Sequence, residues 1–135
     1  MAEQRVVRVA AAIILDDQDR VLTVRKRGTS VFMQPGGKPD PGETALDTIR
    51  RELAEELSLE LAPEDLTYLG RFVSDAANEP DHQVEAEAFW VHVRAPQVAI
   101  AAEIEELRWI EPGDLDRLPI APLSTDHLLP LAWPT

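Results

Sequence analysis

Cysteine is absent from the 135-residue sequence. This absence excludes disulfide bonds, thiolate nucleophiles and cysteine-ligated zinc, and it agrees with a reducing cytoplasm, where we expect the protein. Positive charge is also scarce, because 13 Lys and Arg stand against 25 Asp and Glu, for a formal net charge of −12. We therefore expect no binding to a nucleic acid polymer or an anionic membrane. Phosphate ligands are not excluded, since bound divalent cations reverse the local potential.

Long hydrophobic runs are missing as well. No apolar stretch approaches the roughly 20 residues that span a bilayer, and residues 1–8 lack the apolar core of a signal peptide. Hydrophobic residues still make up 44% of the chain, which is typical of a folded protein. The length predicts one domain over residues 1–135, long enough to bury a core.

Hydrophobic patterning predicts a mixed succession of elements. The predicted strands are Val6–Leu15, Val21–Arg25, a brief extended piece at 31–37, Leu66–Asp75, Gln83–Val93 and a short strand around Trp109. A helix is predicted to begin at Thr44, which resembles a capping box with Asp47, and to end at Ser58. Residues 112–135 predict a second helix or two short helical pieces, interrupted by Pro119 and Pro122. This order predicts an α/β or α+β fold with a mixed sheet.

The predicted helix crowds three carboxylates onto one side. At about 100° per residue, Leu46, Ile49, Leu53 and Leu57 form an apolar stripe about 80° wide. Glu52, Glu55 and Glu56 occupy a neighbouring arc of about 100°, at the edge of the buried surface. Carboxylate oxygens in this arrangement suit a hard cation such as Mg²⁺ or Mn²⁺. The alternative is a solvated acidic helix with Arg50 and Arg51 as its partners.

The segment before the helix is rich in glycine. Gly36 and Gly37 allow either a tight turn or a close approach of the backbone to a ligand. Gly37, five residues, Glu43, seven residues and then "RELAEELSL" closely resemble the signature of Nudix hydrolases. In that signature Ser58 replaces a glycine that ends the helix, and we expect a small local cost there rather than a loss of chemistry.

The resemblance implies an α/β/α sandwich with a curved mixed sheet. It also implies hydrolysis of a nucleoside diphosphate linked to another group, with a small-molecule nucleotide as the substrate. Mg²⁺ or Mn²⁺ would be held by Glu52, Glu55 and Glu56, with Glu56 and Glu52 the first choices. Arg51 would orient the carboxylates and Glu43 would support the loop. The Gly36-Gly37-Lys38 backbone would shape the substrate site, and a homodimer is an expectation by analogy alone.

Residues outside the signature are less specific. Glu103, six residues before Trp109, is a candidate general base by resemblance to MutT-like members, with Glu85 and Glu87 as competitors. Arg25 and Arg27 are candidate phosphate ligands, against a solvent-exposed loop role for Arg27. Stacking on a base is open to three aromatic residues that fit a core role better: Phe32, Phe72 and Trp90.

Substrate identity is not predicted by the sequence. The C-terminal stretch Leu118–Thr125 lacks the Asn with which MutT-like enzymes read an oxidised guanine. Pro80 lies too far from the signature to match the proline of ADP-ribose hydrolases. An ADP-ribose or nucleotide-sugar pyrophosphatase therefore stays an alternative to a triphosphatase. A non-catalytic Nudix module that senses a nucleotide is the rival class, although such modules usually lose carboxylates that this chain keeps.

Overall fold

A computed structural model describes residues 5–76, 81–94 and 97–133. Its elements, in chain order, are strands β1 (Arg5–Leu15), β2 (Val21–Lys26) and β3 (Gly36–Gly37), helix α1 (Ala45–Leu57), strands β4 (Thr67–Asp75), β5 (His82–His92) and β6 (Ile104–Ile110), and helix α2 (Leu129–Ala132). Single 3₁₀ turns lie at Pro63–Asp65 and Pro112–Asp114, and a π-helical turn at Ser124–Leu128 leads into α2. The predicted order of elements is confirmed.

The sheet is mixed, as predicted. Its strands run in the order β4-β5-β1-β2-β6, with β3 paired to β1. Strands β1 and β5 are parallel along their whole length, whereas the other pairs are antiparallel. The apolar run of β1 contributes to two cores: Ala10, Ala12 and Ile14 pack on the α1 side, and Ala11, Ile13 and Leu15 on the α2 side. Burial on both faces explains why this strand does not alternate with polar residues.

Strands β1 and β2 separate soon after their turn, and the segment 33–37 enters between them. Their paired register is Leu15 with Val21, at the turn itself. Farther along, Met33 exchanges backbone hydrogen bonds with Val24 of β2, and the N–H of Ala12 in β1 donates to the carbonyl of Pro35. The predicted extended piece is therefore part of the sheet. It carries β3 to the middle of β1, next to α1.

The C-terminal pieces close the other face of the sheet. Buried Leu123, Leu128 and Leu129 pack against the β1 and β5 residues of the second core. A parallel bridge between Phe32 and Ile120 ties this region to the segment that enters the sheet. Pro119 lies between the two helical pieces, as predicted, whereas Pro122 does not interrupt a helix, because the helical residues that lead into α2 begin at Pro122. The connection containing Asn78 and Pro80 lies partly outside the described residues.

Candidate active site

Helix α1 begins and ends as the sequence predicts. The Thr44 hydroxyl accepts a hydrogen bond from the N–H of Asp47, and the Asp47 carboxylate accepts one from the N–H of Thr44, so the capping box is confirmed. Ser58 closes the helix in the left-handed conformation, with φ 54° and ψ 29°. Ile49, Leu53 and Leu57 are fully buried, which orients the acidic arc toward β3.

Glu56 is the most deeply placed of the three helix carboxylates. Its side chain is 1% exposed, and Oε1 accepts a hydrogen bond of 3.1 Å from the N–H of Gly36. Oε2 has no hydrogen-bond partner within the described residues. Burial raises the pKa of Glu56 to about 8, with a further contribution from the nearby Glu52 carboxylate, against the lowering effect of the Gly36 hydrogen bond. An uncompensated buried carboxylate of this kind is a candidate cation ligand.

Glu52 lies against the glycine pair. A Cβ atom on Gly37 would sit 2.5 Å from the Glu52 carboxylate, so the glycine makes room for that side chain. A Cβ on Gly36, whose φ is +152°, would collide with the Ala10 carbonyl of β1. The close approach that the sequence analysis considered for a ligand is thus made here by the protein itself. Burial raises the pKa of Glu52, while hydrogen bonding and charge attraction from Arg51 act in the opposite direction.

Arg51 holds the acidic arc together. Its guanidinium donates to both oxygens of Glu43 over 2.8 and 2.9 Å, to Glu52 Oε1 over 2.9 Å and to Glu55 Oε2 over 3.3 Å. It also donates to the carbonyl of Lys38 over 3.0 Å. Arg51 therefore connects the glycine loop with two of the predicted ligands, which agrees with the orienting role implied for it.

Glu43 fixes the loop in front of the helix. One carboxylate oxygen accepts from the N–H of Asp40 over 2.7 Å and from the Thr48 hydroxyl over 3.2 Å. The hydrogen bond from Arg51 lowers the pKa of Glu43 to about 2, with help from the Asp40 N–H. The carboxylate is thus ionised over the whole neutral range, as its supporting role requires.

The three predicted ligands are not gathered around one point in this structure. Within the described parts of the chain, no group of three or more Asp, Glu or His side chains is close enough to hold a metal ion. The Glu55 side chain is 53% exposed and turned toward Arg51, whereas Glu52 and Glu56 are turned inward. The donor chemistry of Glu52 and Glu56 nevertheless fits a hard divalent cation, because both are carboxylates and one oxygen is buried without a partner.

A cleft of about 600 Å³ opens beside this pair. Its acidic end includes Glu52, Glu103 and Asp40, together with Lys26, Lys38 and the glycine pair. Its other end is largely apolar and is lined by Val7, Val9, Val84, Ala121 and Leu123. Phe32 is instead buried under the Arg108 guanidinium, and Phe72 and Trp90 pack against the α2-side core. All three aromatic residues therefore pack in or against the core, which is the role that the sequence favoured.

Lys26 forms part of the cleft wall, although the sequence did not identify it as a site residue. Its Nζ lies 3.3 Å from Oε1 of Glu103, and its charge acts on Glu52 and Glu56. Alternation along β2 places Lys26 on the same face as Val24, but only the packing of Val24 with α1 residues shows that this face lies toward α1. The predicted Glu103 lies in the same wall, so two elements bring it and Glu52 to one cleft.

Arg25 and Arg27 lie elsewhere, which corrects their predicted position. Arg25, on the opposite face of β2 from Lys26, donates to the carboxylate of Glu106 and to the carbonyl of Thr29. Arg27 is exposed, and its backbone N–H binds the carbonyl of Glu103. Arg27 therefore has the solvent-exposed loop position that was the alternative to phosphate binding. Neither guanidinium is among the groups that line the cleft.

Glu85 and Glu87 occupy a different hollow. This second concavity of about 340 Å³ lies between β1, β4, β5 and the start of α1. The Arg71 side chain is 3.1 Å from both carboxylates, and the Tyr68 hydroxyl hydrogen-bonds to Glu87. Paired in this way, the two strand acids are poorly placed to act on a group held by Glu52 and Glu56. Their competition with Glu103 for the role of general base is therefore weakened.

Comparisons with known proteins agree with this geometry. The family model of the NUDIX domain matches residues 5–132. The 8-oxo-dGTP diphosphatase of Haemophilus influenzae is 26% identical over 110 residues, which cover 69% of this chain and 81% of that protein. No helix among the described residues is both long and apolar enough to cross a membrane.

Solved structures show the same fold. The MutT Nudix hydrolase of Burkholderia pseudomallei superimposes with a TM-score of 0.72 at 22% identity, covering 95% of each chain. The Nudix domain of Shewanella oneidensis NrtR, solved with ADP ribose, gives a TM-score of 0.73 at 17% identity over 96% of this chain and 86% of that one. With the acidic helix, the glycine pair and the matched signature in place, the chain belongs to the Nudix family and is a pyrophosphate-bond hydrolase.

Proposed function

We propose that this protein hydrolyses a nucleoside triphosphate or a related nucleoside diphosphate derivative at the acidic end of the cleft. The observation that carries the proposal is that Glu52 lies near the buried Glu56, whose Oε2 has no hydrogen-bond partner among the described residues. A divalent cation, Mg²⁺ or Mn²⁺, would neutralise the substrate phosphates and acidify the attacking water. Glu52 and Glu56 would hold it, and Glu55 would join them by turning away from Arg51.

The other residues at the acidic end of the cleft bind the substrate or position the carboxylates. Lys26 and Lys38, both in the cleft wall, supply positive charge for the substrate phosphates. Arg51 keeps Glu52 in place through its 2.9 Å hydrogen bond, and Glu43 keeps Arg51 in place. Glu103 is the proposed general base, because it lines the cleft and is exposed enough to receive a proton from water. Binding of a phosphate by Lys26 would release Glu103 from its ion pair for that role.

The substrate class is argued from relatives and from cleft shape. The Haemophilus relative is named for a triphosphate substrate, and this chain is 26% identical to it over 110 residues. The apolar end of the cleft offers room for a base and sugar beyond the phosphates. ADP-ribose is the second candidate, favoured by the fold likeness to a Nudix domain that binds it, although 17% identity supports the fold alone. Cytoplasmic location and a homodimer stay predictions.

One experiment tests enzyme and substrate together. The purified protein is incubated with Mg²⁺ or Mn²⁺ and a panel of nucleoside triphosphates, 8-oxo-dGTP, ADP-ribose, dinucleoside polyphosphates and nucleotide sugars. We expect hydrolysis of at least one triphosphate with release of a nucleoside monophosphate. No hydrolysis of any member with either metal, combined with tight nucleotide binding, would support the sensor alternative instead.

Metal binding is tested separately from activity. Because a divalent cation held by Glu52 and Glu56 would bind the folded protein only, Mg²⁺ or Mn²⁺ is expected to raise the thermal unfolding midpoint. The increase should disappear in Glu56→Gln and persist in Glu60→Gln, in which an exposed Glu just beyond the helix loses the same charge. Equal increases in both variants would place the cation elsewhere.

A further inference from the structure

Gln34 is a buried polar residue that the hydrolysis described above does not use. It belongs to the segment between β1 and β2, and its side chain lines the cleft while remaining 6% exposed overall. Nε2 donates a hydrogen bond of 3.3 Å to the carbonyl of Leu22. Oε1 has no partner within the described residues. An unpaired buried acceptor is destabilising, so its retention calls for an explanation.

The orientation of this carboxamide is set by the protein. If its oxygen and nitrogen were exchanged, the oxygen would face the Leu22 carbonyl, and two acceptors would repel each other. The backbone on both sides is also fixed, since Met33 pairs with Val24 and the Pro35 carbonyl accepts from Ala12. The side chain therefore presents an acceptor, and one of the two N–H groups of its amide is used on Leu22.

Gln34 stands between the two ends of the cleft. Two residues later, the N–H of Gly36 binds Glu56 at the acidic end. Two residues earlier, the carbonyl of Phe32 accepts a hydrogen bond of 2.9 Å from the N–H of Ala121, which lines the apolar end. A nucleotide with its phosphates at Glu52 and Glu56 and its base toward Ala121 has to pass this side chain.

We propose that Gln34 determines base specificity by accepting a hydrogen bond, through Oε1, from an exocyclic amino group of the substrate base. An amino group suits a single acceptor. One of the two N–H groups on Nε2 is used on Leu22, and Oε1 is the atom of this side chain that has no partner among the described residues. Because Oε1 is enclosed, the contact requires a small rotation of the carboxamide, whose terminal torsion is soft. The inference rests on the proposed nucleotide substrate and adds the feature by which it is selected.

The test compares nucleotides that differ in one amino group. Hydrolysis is measured for adenine against unsubstituted purine, guanine against hypoxanthine, and cytosine against 2-pyrimidinone nucleoside triphosphates. For the preferred base, we expect kcat/KM to fall about tenfold or more when the amino group is removed, as a lost hydrogen bond in a closed site does. In Gln34→Met, the amino-bearing substrate should fall to the level of its partner, which should itself change little.

A matched control separates recognition from folding. Thr23→Val removes another buried hydrogen bond from side chain to backbone, donated by Thr23 to the carbonyl of Arg108 over 3.0 Å, in β2 and away from the cleft. It should lower stability without changing the preference for amino-bearing bases. If Gln34→Met does not fold, Gln34→Glu keeps an acceptor of the same length and should retain part of that preference.

Each result decides the inference. Equal losses for both members of a pair in Gln34→Met, or no preference in the wild-type protein, would overturn it and assign Gln34 a structural role. Calorimetric binding of the matching nucleoside monophosphates repeats the comparison without hydrolysis. A Gln34-dependent binding preference without hydrolysis would refute the proposed function and leave this inference standing.

Discussion

The backbone N–H of Gly36 donates a hydrogen bond of 3.1 Å to Oε1 of Glu56, joining the glycine pair of β3 to the buried side of helix α1. In the part of the chain that the structure describes, the other oxygen of the same carboxylate has no hydrogen-bond partner. One oxygen thus positions the side chain, and the other is left for a ligand. The two oxygens of Glu56 therefore have different roles.

Neutralising the inward carboxylates should abolish hydrolysis. We expect Glu56→Gln and Glu52→Gln each to lower kcat by about a hundredfold or more, because cation stabilisation of phosphoryl charge is worth several kcal/mol. Glu55→Gln should lower it less, since Glu55 is half exposed and turned toward Arg51. Steady-state kinetics of the three variants give the order of their losses in kcat, with Glu60→Gln as the control. A greater loss in Glu55→Gln than in Glu56→Gln would contradict the assignment.

The metal-free protein should lose stability as the pH rises. The pKa of Glu56 is about 8 in the folded state, against an unperturbed value of 4.5. As the pH rises, the unfolded chain therefore loses this proton at a lower pH than the folded protein does. The contribution of the protonated Glu56 to the free energy of unfolding is complete below about pH 4.5. It is lost as the pH approaches 8, at about 1.4 kcal/mol per pH unit. Urea unfolding in EDTA should therefore show Glu56→Gln more stable than wild type at pH 8 and nearly equal at pH 4.5. The same difference at both pH values would show that Glu56 is not buried in its neutral form.

Glu43 should have the opposite pH dependence. Its pKa is lowered to about 2 by Arg51, so its contribution to stability is present above about pH 4.5 and lost as the pH falls toward 2. Wild type should be more stable than Glu43→Gln at pH 6, and the two should converge near pH 2. Glu64→Gln, on an exposed 3₁₀ turn, serves as the control and should show no such convergence.

Adding one methyl group to Gly37 should impair the site more than the fold. The new Cβ would lie 2.5 Å from the Glu52 carboxylate and displace it, whereas a Cβ on Gly113 meets nothing within 4 Å. We expect Gly37→Ala to lose hydrolysis with a small change in unfolding midpoint, and Gly113→Ala to keep both. Gly36→Ala should unfold more readily than either, because its Cβ would strike the backbone of β1. Full activity in Gly37→Ala would show that Glu52 need not occupy this position.

Restoring the family glycine should stabilise the protein. Ser58 has φ 54°, a conformation that costs a residue with a side chain about 1 kcal/mol relative to glycine. Ser58→Gly should raise the free energy of unfolding by roughly 0.5–1 kcal/mol. Ser58→Ala keeps the backbone penalty and should give no gain. Thermal and urea unfolding of both variants measure the difference.

The sequence predicted features that depend on local rules. Thr44 with Asp47 and the terminating Ser58 define α1 through short-range geometry, and the structure confirms both. The apolar run of β1 likewise predicted a strand, and the structure shows one there. Lys26 and Gln34 were missed because their importance comes from long-range neighbours. Lys26 meets Glu103 at the start of β6, and Gln34 meets Leu22 only because its segment enters between two strands.

The position of Arg25 shows the same limit. Basic residues at the end of a strand near a predicted phosphate site are reasonable ligands, and alternation alone does not say which face is inward. The cross-strand register decides it, because Arg25 stands opposite Glu106 of β6. The second hollow, with Glu85 and Glu87 facing Arg71, depends in the same way on pairing between β4 and β5.

The segment that enters between β1 and β2 also ties catalysis to the integrity of the sheet. Its hydrogen bonds from Ala12 and to Val24 are part of the strand network, so the glycine pair cannot open as an independent loop. Amide hydrogens of Ala12 and Val24 should exchange only through openings nearly as costly as global unfolding. Heat should therefore inactivate this protein when it melts the sheet, without an earlier stage in which a folded molecule has lost its site.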